Sequence, residues 1–295
     1  MIDMSMNTEY IEEMIKEFLP KEKGFQKTIL EALNYSILAG GKRLRPLIMH
    51  ETYRLFCDGP VTPDLKAMMV ALEMIHSSSL VHDDLPCMDN DRFRRGKLTT
   101  WAKYESEATG VLAGDALMIY AFEVASSAYA KTKNPERLCK AIHILANKTG
   151  IYGMIGGQTV DVELTGRPMS AEELDFVFRL KTGALLESAM MIGAVLGGAT
   201  LKEVEICRKI AENVGVAFQI RDDILDVSGD EAVIGKPLHS DEKNNKTTYV
   251  SLYGLSKAQE DVEALTDEAI RLLDELPGDP GALKALFHSM ISRNK

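Results

Sequence analysis

Residues 202–226 of this chain read KEVEICRKIAENVGVAFQIRDDILD, and apolar side chains recur around most of the helix that this stretch predicts. The stretches 104–129 and 136–163 have the same character. Helices that are apolar around much of their circumference are buried by other helices. Glycine and proline separate these stretches, and no segment shows the sustained alternation of a β-strand. The sequence therefore predicts an all-α protein in which central helices are surrounded by others.

The length and composition predict one soluble domain over residues 1–295. Hydrophobic residues make up 45% and charged residues 26% of the chain, and no proline-, glycine- or serine-rich linker divides it. The formal net charge of -10 argues against nucleic acid or an anionic membrane as a partner. The 4 cysteines form no CxxC pair, which predicts reduced thiols in the cytoplasm. We also expect no signal peptide and no apolar run of membrane-spanning length.

The chain carries two aspartate clusters, DDLPCMD at 83–89 and DDILD at 222–226. Closely packed carboxylates repel one another, so at neutral pH they need bound cations or protonation. Magnesium prefers a few carboxylates together with water and substrate phosphates. The aspartates of the second cluster share one helix face. In the first cluster Pro86 ends or distorts the helix, so the spacer must curl back for Asp89 to join Asp83. The clusters predict a phosphorylated ligand held through Mg²⁺, although one cluster alone would also fit an acidic helix end.

Basic segments accompany the acidic clusters. GGKRLRP at 40–46 places a flexible backbone and arginines at the start of a helix, which suits a phosphate, and RFRRG at 92–96 directly follows the first cluster. Lys181 interrupts an apolar stretch, so it needs an anionic partner or a route to solvent. The turn-like segment 236–249 could close over bound phosphate. Each segment alone is also typical of an exposed turn or a solvated lysine, but beside the aspartates they indicate an anion site.

Seven motifs follow one another along residues 25–290: GGKRLRP, HSSSLVHDDLPCMDNDRFRRGKLTT, AGDAL, GGQTVD, KTGALL, FQIRDDILD and GKPLHSDEKNNKTTY. Together they closely resemble the trans-isoprenyl diphosphate synthases, the polyprenyl synthetase family that includes farnesyl and geranylgeranyl diphosphate synthases. The resemblance implies helices around a deep cavity, a homodimer, and Mg²⁺ as cofactor. It also implies a prenyltransferase that joins isopentenyl diphosphate to an allylic diphosphate (dimethylallyl, geranyl or farnesyl).

The resemblance also implies roles for individual residues. The metal ligands would be Asp83, Asp84, Asp89, Asp222, Asp223 and Asp226. The allylic diphosphate, or its reacting carbon, would face Arg94, Lys181, Thr182, Gln219, Lys236 and Lys246. Isopentenyl diphosphate would meet Gly41, Lys42, Arg45, His76 and Arg95. The residues expected to act directly in catalysis are Asp83, Asp84, Asp89, Lys181, Thr182, Gln219 and Asp222.

Product length should depend on where the growing tail meets the helix before Asp83. One helical turn rises about 5.4 Å, roughly one isoprene unit. Ser78 and Ser79 lie about one turn upstream, on the expected tunnel wall. Family members that stop at farnesyl diphosphate often carry an aromatic residue there, so these small side chains favour geranylgeranyl diphosphate. Farnesyl diphosphate is the alternative, because Met74 or Met118 could form the floor instead.

Two remoter alternatives share part of this pattern. A class I terpene cyclase would also use an α-bundle and a DDxxD motif, but it would lack the isopentenyl diphosphate site and a second DDxxD. A non-catalytic synthase subunit would typically lack one aspartate motif, and both are present here.

Overall fold

A computed structural model describes residues 7–228 and 247–291. Lys236 and Lys246, both expected to bind the allylic diphosphate, lie outside the described residues. The described chain is mostly helical and has almost no strand, which confirms the all-α prediction. It divides into two compact units, and the expected single domain stays a prediction. Unit 1 comprises Met1–His50 and Gly59–Ile142, and unit 2 comprises Glu51–Asp58 and His143–Lys295.

The helices of unit 1 are short except for two. They are α1 (Thr8–Phe18), α2 (Lys27–Ile37), the first part of α3 (Leu44–Phe56), α4 (Pro63–Asp83), α5 (Thr100–Tyr104), α6 (Glu107–Ser127), a 3₁₀ turn (Ala128–Ala130) and the first part of α7 (Pro135–Thr149). A small antiparallel hairpin pairs β1 (Phe93–Arg94) with β2 (Lys97–Leu98). Its two turn residues, Arg95 and Gly96, both have positive φ, as tight hairpin turns require.

Helix α4 is the core of unit 1. Its first turn is capped by the Thr62 side chain, which accepts a hydrogen bond from the Leu65 backbone, and Pro63 stands where a missing N–H costs nothing. Most of its side chains are buried, including Met74. Helix α6 packs along it, and the Ser78 hydroxyl donates to the Gly114 carbonyl at 2.9 Å. In this unit the long, central, buried helix is therefore α4.

Unit 2 is built around α11. Its helices are the rest of α3 and α7, then α8 (Met154–Glu163), α9 (Ala171–Val177), a π-helical turn (Phe178–Gly183), α10 (Ala184–Gly197), α11 (Leu201–Ser228), α12 (Tyr249–Tyr253), α13 (Leu255–Leu273) and α14 (Gly281–Ile291). Ala217, Ile220 and Ile224 of α11 pack with buried residues such as Phe178 and Val262. This buried face fixes which side of α11 presents its polar residues.

Two of the three long apolar stretches are interrupted in the structure. Residues 104–129 were expected to be one helix, but Glu105 adopts a positive φ and the Ser106 side chain caps a new helix by accepting from the Thr109 backbone. Residues 136–163 likewise divide into α7 and α8, with a turn at 150–153 between them. The helical spacing of apolar residues continues across both breaks, so neither break was predicted. The stretch 202–225 is one helix, as predicted.

Among the described residues, two stretches are long and apolar enough to cross a membrane by length and composition alone, whereas none was expected. They are Glu107–Ala130 and Ala171–Gly197. In the second stretch 72% of the most apolar window is buried inside the protein, whereas in the first the share is 39%. The core helix of a water-soluble protein passes the same composition test, and the burial of Ala171–Gly197 is of that kind.

Candidate active site

The first aspartate cluster lies at the end of α4. The Asp84 backbone N–H donates to the Leu80 carbonyl, and the helix then stops. The backbone N–H of Asp89 donates to the Asp83 carbonyl at 2.8 Å, and the N–H of Asn90 donates to the Leu85 carbonyl at 3.0 Å. The spacer therefore curls back, as its proline suggested, and it brings the ends of the motif together.

Asp84 forms an ion pair with Arg94. Its carboxylate is buried, and Oδ1 accepts from both Nε and Nη2 of Arg94 at 2.6 Å. Burial raises the pKa of Asp84 above its ordinary value, although the hydrogen bond from Arg94 opposes that change. Arg94 Nη2 also lies 3.6 Å from Asp91. Asp84, a predicted metal ligand, is therefore paired with Arg94, a predicted diphosphate ligand.

The basic loop before α3 approaches the hairpin turn. Gly40 has a φ of 95°, and its carbonyl accepts from Arg95 Nη1. A side chain at Gly41 would place its Cβ 2.6 Å from that same nitrogen. Glycine at this position therefore leaves room for the Arg95 guanidinium. Lys42 is exposed, whereas the Nε of Arg45 is buried and has no hydrogen-bond partner among the described residues.

His76 lies within reach of four guanidinium groups. The side chain is half-buried, and the loss of water around it lowers its pKa well below the ordinary histidine value, to which the positive charges of Arg45, Arg95, Arg43 and Arg94 add. The residues expected to bind isopentenyl diphosphate are thereby brought together inside unit 1, except that Lys42 extends to solvent. Such a concentration of positive charge suits a polyanion.

Ser78 and Ser79 occupy different environments. Ser78 is fully buried against α6. Ser79 is half-buried, and its hydroxyl donates to the His76 carbonyl at 2.9 Å. Positions 76, 79 and 83 recur at helical spacing, so Ser79 shares a face with His76 and Asp83, whereas Ser78 faces its neighbouring helix.

The second aspartate cluster forms one polar edge on α11. Gln219 lies three and four residues before Asp222 and Asp223, these lie four and three residues before Asp226, and all four side chains are half-buried. Asp223 Oδ2 accepts from the backbone N–H of Tyr249 at 2.6 Å. Asp223 therefore also anchors the start of α12. The Tyr249 hydroxyl donates to Asp261 at 2.7 Å, which ties that helix to α13.

Lys181 and Thr182 lie in the π-helical turn. A Cβ on Gly157 would overlap the Lys181 backbone, and a Cβ on Gly215 would lie 2.9 Å from Gly183 Cα. These two glycines let α8 and α11 pack directly against the turn. Lys181 Nζ donates to Asp161 Oδ2 of α8 at 2.5 Å. π-Helical turns recur at functional sites, and this one fixes the direction of a predicted diphosphate ligand.

Comparison with known proteins identifies the family. The profile of the polyprenyl synthetase family matches residues 26–288. The chain belongs to this family. It is 41% identical over 276 residues to the farnesyl diphosphate synthase of Escherichia coli, covering 92% of this chain and 91% of that protein. It is 45% identical over 248 residues to a chloroplastic geranylgeranyl pyrophosphate synthase of Capsicum annuum, covering 83% of this chain and 66% of that protein.

A solved relative has the same fold. The crystal structure of an FPP/GFPP synthase from Zymomonas mobilis superposes with a TM-score of 0.84 at 33% identity, over 96% of this chain and 95% of that one. The predicted resemblance is thus confirmed, and this polyprenyl synthetase family member is a prenyltransferase, as expected.

The donor chemistry of this family member fits magnesium. In the described ranges no three of its histidine, cysteine, aspartate or glutamate side chains form a cage that could hold a metal ion. Magnesium seldom uses such a cage, because it takes one or two carboxylates and completes its shell with water and phosphate. Asp83 and Asp89 at the folded-back turn, and Asp222 and Asp226 on α11, supply hard oxygen donors of that kind.

Several partners of the predicted residues were missed from sequence. Asp161 holds Lys181, Asp223 holds the start of α12, and Glu73 lies beneath the basic loop. GGQTVD did contain the signal for Asp161, since its last residue follows Gly157 by one helical turn. Nothing in the sequence near residue 43 pointed to Glu73, which is thirty residues away.

Proposed function

We propose that this prenyltransferase is a short-chain prenyl diphosphate synthase that condenses isopentenyl diphosphate with dimethylallyl, geranyl or farnesyl diphosphate. The observation that carries this proposal is the buried Nε of Arg45, which lacks a hydrogen-bond partner in the described part of the chain. A buried donor without a partner is costly unless a ligand satisfies it. A diphosphate among the guanidinium groups around His76 would do so. A terpene cyclase has no use for this second diphosphate site.

The residues of unit 2 suit ionisation of the allylic substrate. Lys181 would stabilise negative charge on the departing diphosphate, and the Thr182 hydroxyl and Gln219 amide would present dipoles to the carbocation. The allylic carbon–oxygen bond breaks, the isopentenyl double bond forms the new carbon–carbon bond, and the departing diphosphate takes the proton. Each aspartate cluster would hold Mg²⁺, which would supply neutralising charge for the leaving group.

We propose geranylgeranyl diphosphate as the main product. Ser78 and Ser79 are both small, and neither supplies an aromatic barrier upstream of Asp83. Ser79 supports this assignment most directly because it shares the face of α4 that carries Asp83. Farnesyl diphosphate is the second candidate, and curated relatives of both kinds resemble this chain.

A homodimer through α6 is part of the proposal. The exposed large apolar residues of α6 include Val111, Leu112 and Ile119, and Ile119 is 68% exposed. A row of large apolar side chains on a long helix is typical of a surface that a second copy covers. We expect Ile119→Glu to give a monomer by sedimentation velocity, with Leu201→Glu on the exposed start of α11 as the matched control. A monomeric wild-type protein would refute the assignment.

We also propose the cytoplasm as the location. All four cysteines are free, and Cys87 and Cys139 are exposed. Exposed unpaired thiols suit a reducing compartment. Loss of activity after expression in an oxidising compartment, restored by a reductant, would support this placement.

The decisive experiment offers labelled isopentenyl diphosphate with each of the three allylic starters in turn. The products are dephosphorylated and the alcohols are sized by chromatography. We expect elongation from all three starters, ending mainly at the geranylgeranyl alcohol. A product ending at the farnesyl alcohol would select the second candidate. Cyclic hydrocarbon formed from an allylic diphosphate alone, with no isopentenyl consumption, would overturn the proposed function.

A further inference from the structure

Arg43 lies in the basic loop but its charge is turned inward. Its side chain is fully buried, Nη1 donates to Glu73 Oε1 at 2.7 Å, and Nε donates to Glu12 Oε1 at 2.8 Å. Nη2 donates to the Ile37 carbonyl at 2.6 Å. Arg43 also has a φ of 50°, a left-handed conformation that is uncommon for arginine. Such a conformation persists only where surrounding contacts hold it, so the ion pairs fix the loop backbone here.

The buried ion pairs join three elements at the proposed diphosphate site. Glu12 belongs to α1 and Glu73 belongs to α4, whereas Arg43 follows Lys42 in the loop and precedes Arg45 in the first turn of α3. Glu73 and His76 are three residues apart on α4, so they lie on neighbouring positions of one face. The backbone that carries two predicted diphosphate ligands is therefore tied to both helices through one guanidinium group.

Glu73 also acts on the neighbouring cations. Burial lowers the pKa of Arg45 and of Arg95, and the charge of Glu73 opposes that change at both residues. Its second oxygen, Oε2, is buried with no hydrogen-bond partner among the described residues. A buried ion pair usually adds little net stability. Positioning therefore explains this arrangement better than stability does.

We propose that Glu12 and Glu73 are positioning residues for isopentenyl diphosphate, acting through Arg43 to hold residues 40–46, the basic loop and the first turn of α3, in their binding conformation. The inference rests on the proposed function. A loop that is already in place loses less entropy when the diphosphate binds. The effect should fall on the isopentenyl substrate, because Gly41, Lys42 and Arg45 of this segment are predicted ligands of that substrate and not of the allylic diphosphate.

The first test is Glu12→Gln, which removes the charge and keeps the shape of a partly exposed side chain. We expect the KM for isopentenyl diphosphate to rise about tenfold, as loss of one charged hydrogen bond predicts. The kcat and the KM for the allylic substrate should stay within about twofold of the wild-type values. Glu13→Gln is the matched control, because Glu13 is the neighbouring exposed residue and pairs only locally with Lys16.

The second test asks whether Glu12 acts through Arg43. Arg43→Lys keeps the charge but cannot make the branched contacts of a guanidinium group. If the proposal holds, Glu12→Gln adds little to the KM in the Arg43→Lys background, whereas independent effects would multiply. All variants are assayed at a temperature where circular dichroism shows them folded.

The outcomes separate this inference from the proposed function. A wild-type enzyme that does not consume isopentenyl diphosphate contradicts the function itself. A working enzyme in which Glu12→Gln behaves like Glu13→Gln contradicts only the positioning role. Equal increases in both KM values, or multiplying effects in the double variant, also overturn it.

Discussion

At the scale of single residues, Asp83 and Asp222 are predicted metal ligands. Each stands half-buried at the polar edge of a helix whose opposite side is packed, so its removal leaves the core intact. We expect Asp83→Ala or Asp222→Ala to reduce condensation by about a hundredfold or more, because the leaving group loses stabilisation. Turnover of labelled isopentenyl diphosphate measures this, with exposed Asp267→Ala as the control. Normal turnover in either variant would falsify the metal assignment.

The chain-length residues can be tested one by one. We expect Ser79→Tyr to shorten the main product by at least one isoprene unit, because its side chain would extend along the face that carries Asp83. Ser78→Tyr tests the other wall, although that serine is fully buried and a large side chain there also strains the contact with α6. Chromatography of the alcohols gives the product length. An unchanged product from both variants would place the floor elsewhere.

The depressed pKa of His76 predicts how acid affects stability. Folding lowers its pKa below 6.5, first through burial and then through the nearby arginines, so the unfolded chain binds the proton more readily. The free energy of unfolding therefore falls as the pH drops below 6.5 towards the folded-state pKa. We expect His76→Gln to flatten this fall, as measured by urea unfolding at several pH values.

The control for this measurement is His143→Gln, which makes the same change on an exposed helix face. If His76→Gln and wild-type protein lose stability in parallel over that range, the histidine is not buried in its neutral form.

At the scale of secondary-structure elements, the packing of α8 against the π-helical turn depends on Gly157. A Cβ there would overlap the backbone of the π-helical turn at Lys181, and a backbone cannot move aside as a flexible side chain can. We expect Gly157→Ala to lower the free energy of unfolding by about 1–3 kcal/mol and to raise the KM for the allylic substrate, since Lys181 is displaced. Gly281→Ala at the start of α14 is the control. Wild-type stability and KM would show that α8 does not pack this closely.

The elements also show what periodicity can predict. The pattern over 202–225 correctly indicated one helix, because a single buried face runs along α11. The same pattern missed the breaks at Glu105 and at 150–153, since the apolar positions on either side keep helical spacing. The π-helical turn was equally invisible, because one inserted residue leaves the local composition unchanged. The two breaks and the π-helical turn depend on tertiary contacts, which apolar periodicity does not describe.

At the scale of the whole molecule, burial should sort the cysteines by reactivity. Cys87 and Cys139 are exposed, whereas Cys207 is buried in α11, and burial followed by the charge of Glu203 raises its pKa to about 12. Since the thiolate is the reactive form, iodoacetamide at pH 8 should label Cys87 and Cys139 first and Cys207 only on unfolding. Mass spectrometry of peptides gives each rate. Equal labelling of Cys207 in the folded protein would contradict the packing of unit 2.

The motifs could be predicted because each one consists of particular residues in a particular order along the chain. Their partners were not, because Glu73 meets Arg43 across 30 positions and Asp161 meets Lys181 across 20. Such pairs depend on which helix faces meet after folding. Sequence reasoning therefore gave the groups that would touch a substrate but missed the residues that hold those groups in place.

The extra residue in the turn at Phe178–Gly183 has a consequence for insertions and deletions. A π-helical turn contains one residue more than an α-helical turn, so deleting any residue within it would restore regular winding. The flanking helices α9 and α10 would keep their directions, but the residues of the turn would shift by one position and Lys181 would no longer face Asp161. The spacing between α9 and α10 is thus a feature that substitutions can leave intact, whereas a single-codon loss cannot.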